Sequence, residues 1–328
     1  MMQPKFKIVL LDKGYFPSIQ VMQEAVAGVG AEVTEVQVKT EEDIIAAAQD
    51  ADVVLHILPK VQRRVIESFK RCKLILRMGI GYDEVDVEAA TAKGIMVCNV
   101  ADYCHEEVSD HALTLLLSVC RKVNAFDENI RQGKWGWRHV RPMHEMRGKS
   151  LGLVAFGKIA RCLTPKAQAL GLKVISYDPY LFDDIFLKWG AERRLDLDVL
   201  LSESDFVSVH APFSRETKGM IGESEFRAMK RTAIFVNTSR GPLLDEEALI
   251  KALQEGWIAG AGLDVMVEEP LPPSSPLLQA PNLIVTPHAA WYSEKSVETL
   301  IHNAMADVVR VLQGKRPKNL VNPRVLWK

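Results

Sequence analysis

The 328-residue sequence contains no CxxC pair. Its five cysteines (Cys72, Cys98, Cys104, Cys120, Cys162) stand apart, mostly within apolar runs. An odd count without motif spacing excludes a disulfide framework and a cysteine-based zinc site. It predicts reduced, buried thiols, as in a cytoplasmic protein. An excess of either charge is also missing. Lys+Arg 41 against Asp+Glu 42 gives a net charge of −1, so nothing calls for a nucleic-acid partner. No apolar run reaches the ~20 residues that span a bilayer, and Met1 to Lys7 has no apolar signal core, so no membrane or secretory segment is expected. Neither a repeat of fixed period nor a low-complexity stretch is present. Hydrophobic residues at 48% and charged residues at 25% are the values of an ordinary soluble globular protein. A chain this long exceeds one core, and two domains are expected.

The first hundred residues alternate short apolar runs with helix-like segments. Phe6–Leu11, Glu32–Val38, Val53–Ile57, Leu74–Leu76 and Ile95–Val97 read as strands. Ser18–Val26, Asp43–Gln49, Val61–Phe69 and Val87–Ala92 read as helices. This rhythm predicts a doubly wound parallel sheet of flavodoxin-like type. After Val100 it changes. Glu106 to Arg121 reads as a long helix linking two lobes. Arg131 to Met146, rich in Trp, His, Arg and Gly, reads as an extended excursion, either an ordered loop or an arm toward a second subunit. The arm is favoured because Trp135 and Trp137 are costly to leave in water. A second β–α series begins at Gly148, with strands at Ser150–Val154, Lys173–Tyr177, Phe206–Val209, Ala233–Val236, Ala259–Leu263 and Leu283–Val285. Ser293 to Leu312 is a final helix able to return to the first lobe. The expected organisation is an α/β protein of two doubly wound parallel-sheet domains with a cleft between them. Residues 1–100 with 293–328 form a flavodoxin-like domain for the substrate. Residues 101–292 form a dinucleotide-binding Rossmann domain carrying a dimerisation arm at about 121–147.

The chemistry concentrates between Asn237 and His288. Arg240, Glu269 and His288 each follow a short apolar run, and strand ends are where α/β folds gather reactive side chains. Each alone has a plain structural reading: Arg240 a surface ion pair, Glu269 a helix anion, His288 a satisfied polar residue. A cofactor turn lies upstream. The G-x-G-x-x-G pattern exposes backbone N–H groups at a helix N-terminus, where a pyrophosphate can approach. Here it reads Ala155-x-Gly157-x-x-Ala160, and alone it fits a structural turn as well. Context strengthens it. A strand precedes it, a helix follows, and Asp178 stands 21 residues beyond Gly157 at a strand end. A carboxylate there accepts from both ribose hydroxyls and repels a 2′-phosphate, which selects NAD over NADP.

Taken in order, Gly79-Ile-Gly81-Tyr-Asp83 with Asp86, Gly152 to Ala160, Tyr177-Asp-Pro179, Val209-His-Ala-Pro212, Asn237 to Gly241, Leu263-Asp-Val265, Glu269-Pro270 and Pro287-His288 resemble the D-isomer-specific 2-hydroxyacid dehydrogenase family along essentially the whole chain. Within it the sequence is most similar to the C-terminal-binding-protein corepressor branch and its bacterial relatives. Arg77 before the glycine loop and the run from Ala280 to Glu294 carry that likeness. Most family members have a small residue where Trp291 stands. Ala155 and Ala160 replace glycines and Phe213 a leucine, departures that bear on cofactor affinity.

The resemblance implies hydride transfer between NAD and C2 of a 2-keto or 2-hydroxy acid. His288 would be the acid/base, with Glu269 bonded to it and favouring the imidazolium. Arg240 would bind the substrate carboxylate and polarise the carbonyl. Arg77, Gly79, Ile80 and Gly81 would hold the carboxylate, and Trp291 would wall the substrate pocket. The same resemblance implies a cofactor surface of Ile80, Val108, Phe156, Gly157, Lys158, Ile159, Tyr177, Asp178, Pro179, His210, Ala211, Pro212, Thr217, Asn237, Thr238, Ser239, Arg240, Asp264, His288 and Ala290. In it Asp264 accepts from the nicotinamide carboxamide and His210 shapes the loop. His105, His111, His139 and His144 read as surface or interface residues, and no metal is expected.

The leading expectation is therefore an NAD-dependent D-2-hydroxyacid dehydrogenase, a homodimer. The alternative is an NAD(H)-sensing, corepressor-like binding protein with little turnover. The loop His56-Ile-Leu-Pro-Lys60 lacks the arginine that phosphoglycerate enzymes place there, and formate enzymes carry glutamine for Glu269. An apolar or thioether-bearing keto acid packed on Trp291 is the preferred substrate.

Overall fold

The structure, a computed structural model, describes residues 5–327. The chain divides into two compact units, Met1–Tyr103 with Ser293–Lys328, and Cys104–Tyr292. Each is organised on one parallel sheet.

The first unit runs β1 (Phe6–Leu10), α1 (Gln20–Ala27), β2 (Ala31–Glu35), α2 (Glu41–Ala48), β3 (Val53–His56), α3 (Arg63–Ser68), β4 (Leu74–Arg77), α4 (Val87–Lys93) and β5 (Met96–Asn99). The strand order is β2-β1-β3-β4-β5. β3 and β4 are buried throughout, which is why they read as unbroken apolar runs rather than alternations. Thr40 caps α2 in a capping box with Asp43, and Asp86 caps α4, which Gly94 ends in a left-handed conformation. The alternation through Val38 predicts a longer β2 than is observed. The strand stops at Glu35, and Gln37 instead forms an antiparallel bridge with Asp12.

The second unit opens on α5 (His105–Arg121) and α6 (Val123–Arg131). It continues through β6 (Ser150–Val154), α7 (Lys158–Ala169), β7 (Lys173–Tyr177), α8 (Asp183–Lys188), β8 (Glu192–Arg194), α9 (Leu197–Glu203), β9 (Phe206–Val209), α10 (Glu223–Ala228), β10 (Ile234–Asn237), α11 (Glu246–Gln254), β11 (Gly260–Leu263) and β12 (Leu283–Val285). The strand order is β12-β11-β10-β9-β6-β7-β8, with its reversal between β6 and β9. The chain then re-enters the first unit as α12 (Glu294–Leu312), which packs on α1 and β4.

α5 is not a link between lobes. It lies within the second unit against α7, β10 and β11. The glycines of Ala259-Gly-Ala-Gly-Leu263 explain the fit. A Cβ on Gly260 would come within 2.7 Å of the Val119 side chain, and one on Gly262 within 2.9 Å of Leu115. Overpacking of this kind costs about 1–3 kcal/mol. Between Arg121 and the arm read from Arg131 the chain forms α6, which buries none of its residues, and the arm itself contains a 3₁₀ turn at Arg138–Val140. Trp135 and Trp137 remain 89% and 57% exposed within this chain. Among the described residues no helix is long and apolar enough to cross a membrane, and no group of His, Cys, Asp or Glu is arranged to hold a metal ion.

Candidate active site

Three loops at the carboxyl ends of β10, β11 and β12 carry Arg240, Glu269 and His288. After β10, the buried Asn237 shapes the turn. Its Nδ2 donates to the Arg240 carbonyl (2.9 Å) and its Oδ1 accepts from the Ser239 amide (3.0 Å). Ser239 Oγ donates to the Val209 carbonyl (2.8 Å), and Arg240 Nη1 to the Ser239 carbonyl (2.9 Å). Gly241 has to be glycine, because a Cβ there would lie 2.0 Å from the Met266 backbone. That close approach brings the arginine loop onto the loop that carries Glu269.

His288 Nδ1 and Glu269 Oε2 are 2.7 Å apart, and the two side chains are 35% and 33% exposed. A carboxylate on Nδ1 fixes the tautomer and leaves Nε2 as the nitrogen available for proton exchange. Glu269 Oε1 also accepts from the Met266 amide (2.9 Å). Burial pushes the Glu269 carboxyl up, but the His288 hydrogen bond and charge, the Met266 amide and the Arg240 charge outweigh it. Its pKa lies below the ordinary value, and Glu269 is an anion at neutral pH. His288 has φ +52°, in the left-handed region a non-glycine residue enters only when its surroundings enforce it.

Asp264 enforces it. The His288 amide donates to the Asp264 carbonyl (2.8 Å). The fully buried Asp264 carboxylate accepts from Thr286 Oγ1 (2.6 Å) and the amides of Ala289 (3.0 Å) and Ala290 (2.8 Å). The sequence assigned Asp264 to the nicotinamide carboxamide. Its carboxylate also accepts three bonds from the turn bearing His288 and so positions that residue. His111, read as surface or interface, is tied to the same network. Its Nε2 lies 2.9 Å from Thr286 Oγ1 and 3.5 Å from Asp264 Oδ1. The missed signal was helical spacing, since His111 stands on the stripe of Val108, Ala112 and Leu115, all buried.

The dinucleotide turn follows β6. Gly157 caps α7, and a Cβ on it would meet nothing within 4 Å, so the space above the helix N-terminus is open. Asp178, buried at the end of β7, accepts from the Phe156 amide through Oδ2 (2.9 Å) and from the Tyr180 amide through Oδ1 (3.0 Å). It therefore ties the turn to the strand end, with acceptor capacity remaining on both oxygens. Lys158 and Ile159 open α7, and Tyr177 and Pro179 flank Asp178. Across the strand-order reversal, β9 delivers His210, Ala211, Pro212 and the loop of Thr217, whose hydroxyl donates to the Pro212 carbonyl (2.7 Å). Two buried polar atoms there, Thr238 Oγ1 and His210 Nδ1, have no hydrogen-bond partner. An open helix N-terminus, a carboxylate at the next strand end and buried polar atoms short of partners fit a bound dinucleotide. Val108 lies buried on α5 and Ala290 beside His288.

Ala155 takes φ +69° at the first position of this turn, where the pattern has glycine. A left-handed L-residue costs roughly 1–2 kcal/mol. We expect Ala155→Gly to raise thermal stability by about 1 kcal/mol and to tighten NADH binding, read by calorimetry. A destabilised variant would contradict the strain argument.

Trp291 lies in the second unit, half-buried and edge-on to Tyr292, with ring centroids 5.7 Å apart. The remaining predicted substrate residues, Arg77, Gly79, Ile80 and Gly81, belong to the first unit, at and after the end of β4. The Arg77 guanidinium fills the space a Gly79 side chain would need, with Nη1 1.4 Å from the Cβ position. Beside Arg77, at the end of β3, stands the fully buried His56, whose Nδ1 donates to the Pro59 carbonyl (3.0 Å). Burial and the Arg77 charge push its imidazole down to about 3. Burial likewise pushes His210 down to about 4. Unfolding lets both rings regain protons below the ordinary histidine value. Stability is therefore full above about pH 6.5 and falls by roughly 1.4 kcal/mol per pH unit for each ring as pH drops toward 5. Urea denaturation at pH 7 and pH 5 reads this slope; equal midpoints would contradict it.

The sequence model for "D-isomer specific 2-hydroxyacid dehydrogenase, NAD binding domain" matches residues 113–290. The chain belongs to that family. It is 39% identical to a glyoxylate reductase of Korarchaeum cryptofilum over 86% of each chain. It is 36% identical to a hydroxypyruvate reductase of Blautia hydrogenotrophica over 86% of this chain and 88% of that one. Among solved structures, a D-lactate dehydrogenase from Aquifex aeolicus complexed with NAD and lactic acid superposes with a TM-score of 0.85 at 25% identity, covering 96% of this chain and 98% of that one. The protein is an NAD-dependent oxidoreductase of the 2-hydroxyacid dehydrogenase family, built on two Rossmann-like parallel sheets. Nothing in these likenesses supports the nucleotide-sensing alternative.

Proposed function

We propose that the protein reduces a small 2-keto acid to the D-2-hydroxy acid, and catalyses the reverse oxidation, with His288 as the acid/base. The observation that carries this reading is the 2.7 Å contact of His288 Nδ1 with the ionised Glu269, on a turn held by Asp264. NAD supplies the hydride acceptor and, reduced, the hydride donor. In the reductive direction His288 Nε2 gives a proton to the ketone oxygen, and Glu269 stabilises the imidazolium that precedes transfer. Arg240 binds the substrate carboxylate and draws charge from the carbonyl. Arg77 and the backbone of Gly79, Ile80 and Gly81 are the first unit's contacts with the carboxylate, and Trp291 packs on the substrate side chain. The first unit thereby serves as the substrate domain. Asp178 holds the adenosine ribose and disfavours a 2′-phosphate.

A homodimer through residues 121–147 completes the reading. The uncovered face of α6 and the exposed Trp135 and Trp137 support it. Five free cysteines, three of them buried, accord with a reducing cytoplasm. The test is NADH consumption across a panel of 2-keto acids from glyoxylate to thioether-bearing members, for wild type and Trp291→Ala. We expect turnover by the wild type and a profile shifted toward other side chains in the variant. NADH binding without turnover on any acid would overturn the enzymatic reading.

A further inference from the structure

The ends of β1, β3 and β4 bring a charge cluster together around Arg77 in the first unit, beside its strand-order reversal between β1 and β3. Arg77 is 8% exposed. Its Nε lies 3.8 Å from Glu84 Oε2, which pairs the charges without closing a hydrogen bond. Both atoms are buried and lack any hydrogen-bond partner. Asp12, also buried, faces the same guanidinium, and its carboxylate accepts from the amides of Ile57 (2.7 Å) and Leu58 (3.0 Å). The neutral His56 ring adds no positive charge. One cation thus stands against two carboxylates.

We propose that Glu84 is a specificity-determining residue that confines the enzyme to monoanionic 2-keto acids and turns away those with a second, distal carboxylate. The proposal rests on the reading that Arg77 grips the substrate carboxylate. A substrate with one negative charge makes Arg77 the shared centre of three anions, which a guanidinium fork can still serve along separate edges. With Arg77 and Arg240 both engaged by the first carboxylate, a second one near Arg77 would meet the charges of Glu84 and Asp12 without a cation of its own. Like charges a few ångströms apart in a partly screened site cost enough to set preference. The absence of a partner for the buried Oε2 of the half-buried Glu84 fits this role, since buried carboxylate oxygens are ordinarily hydrogen-bonded.

The test compares oxaloacetate with 4-methyl-2-oxopentanoate, which replaces the distal carboxylate by an isopropyl group of nearly the same shape. In the wild type kcat/KM should strongly favour the monoanion. Glu84→Gln should raise the oxaloacetate to 4-methyl-2-oxopentanoate ratio by about tenfold or more, the effect of removing about 1.4 kcal/mol of repulsion. Glu84→Asp, which keeps the charge, should leave the ratio near that of wild type. Glu84→Asn replaces the glutamine variant if that one fails to fold. An unchanged ratio in Glu84→Gln, alongside a raised KM for the monoanion in Arg77→Met, would overturn the inference and spare the Arg77 reading. An unchanged KM in Arg77→Met would remove that reading, and the inference with it.

Discussion

His288→Ala lowers kcat for keto-acid reduction by about 10²–10⁴-fold while leaving NADH affinity within a few fold, because a positioned general acid contributes on that order. The residue stands on a turn whose backbone is held independently of its side chain, through its own amide and the Asp264 carboxylate. Removing the imidazole therefore removes the proton donor and Glu269's partner without releasing the loop. Glu269→Gln should act in the same direction but less strongly, since a neutral amide still bonds to Nδ1 yet no longer favours the imidazolium. Steady-state kinetics with NADH titration checks both. A His288→Ala enzyme retaining most of its kcat would assign the proton to another group.

The second large effect belongs to a residue that touches no substrate in this account. Asp264→Ala leaves the Ala289 and Ala290 amides without their acceptor, while the Thr286 hydroxyl keeps the Leu263 carbonyl and His111 as partners. A buried donor stripped of a charged acceptor costs about 1–3 kcal/mol, and the half-buried Ala289 amide adds less, so a loss of roughly 2 kcal/mol is expected. The strained backbone of His288, no longer enforced, should relax. The variant should then lose kcat beyond what its folded fraction explains. Denaturant unfolding beside kinetics at saturating NADH separates the two losses. Full kcat in the folded fraction would show that the turn holds its geometry without Asp264.

Most of the fold was legible because its central strands are buried on both faces and many of its helices begin and end on ordinary signals. β7, β9 and β12 fall where the apolar runs place them. The elements missed were short or polar. β8 reads Glu-Arg-Arg, and α6 has no buried residue to set a core-facing period. In the site, residue order exposed the charged groups but not their supports. The family resemblance implies a cofactor contact for Asp264 and says nothing of its support for the His288 turn. Only the fold reveals that β12's loop returns over it with three donors. Glu84 and Asp12 were passed over for the opposite reason, being ordinary acids in loops until β1, β3 and β4 set them around Arg77.

The central claim is stereospecific reduction by NADH. The direct measurement incubates the protein with NADH and hydroxypyruvate and resolves the product on a chiral column against the NADH consumed. D-glycerate is expected in one-to-one proportion with NADH lost, formed about 10²–10⁴-fold more slowly by His288→Ala. L-glycerate as the product, or NADH consumption without glycerate, would contradict it.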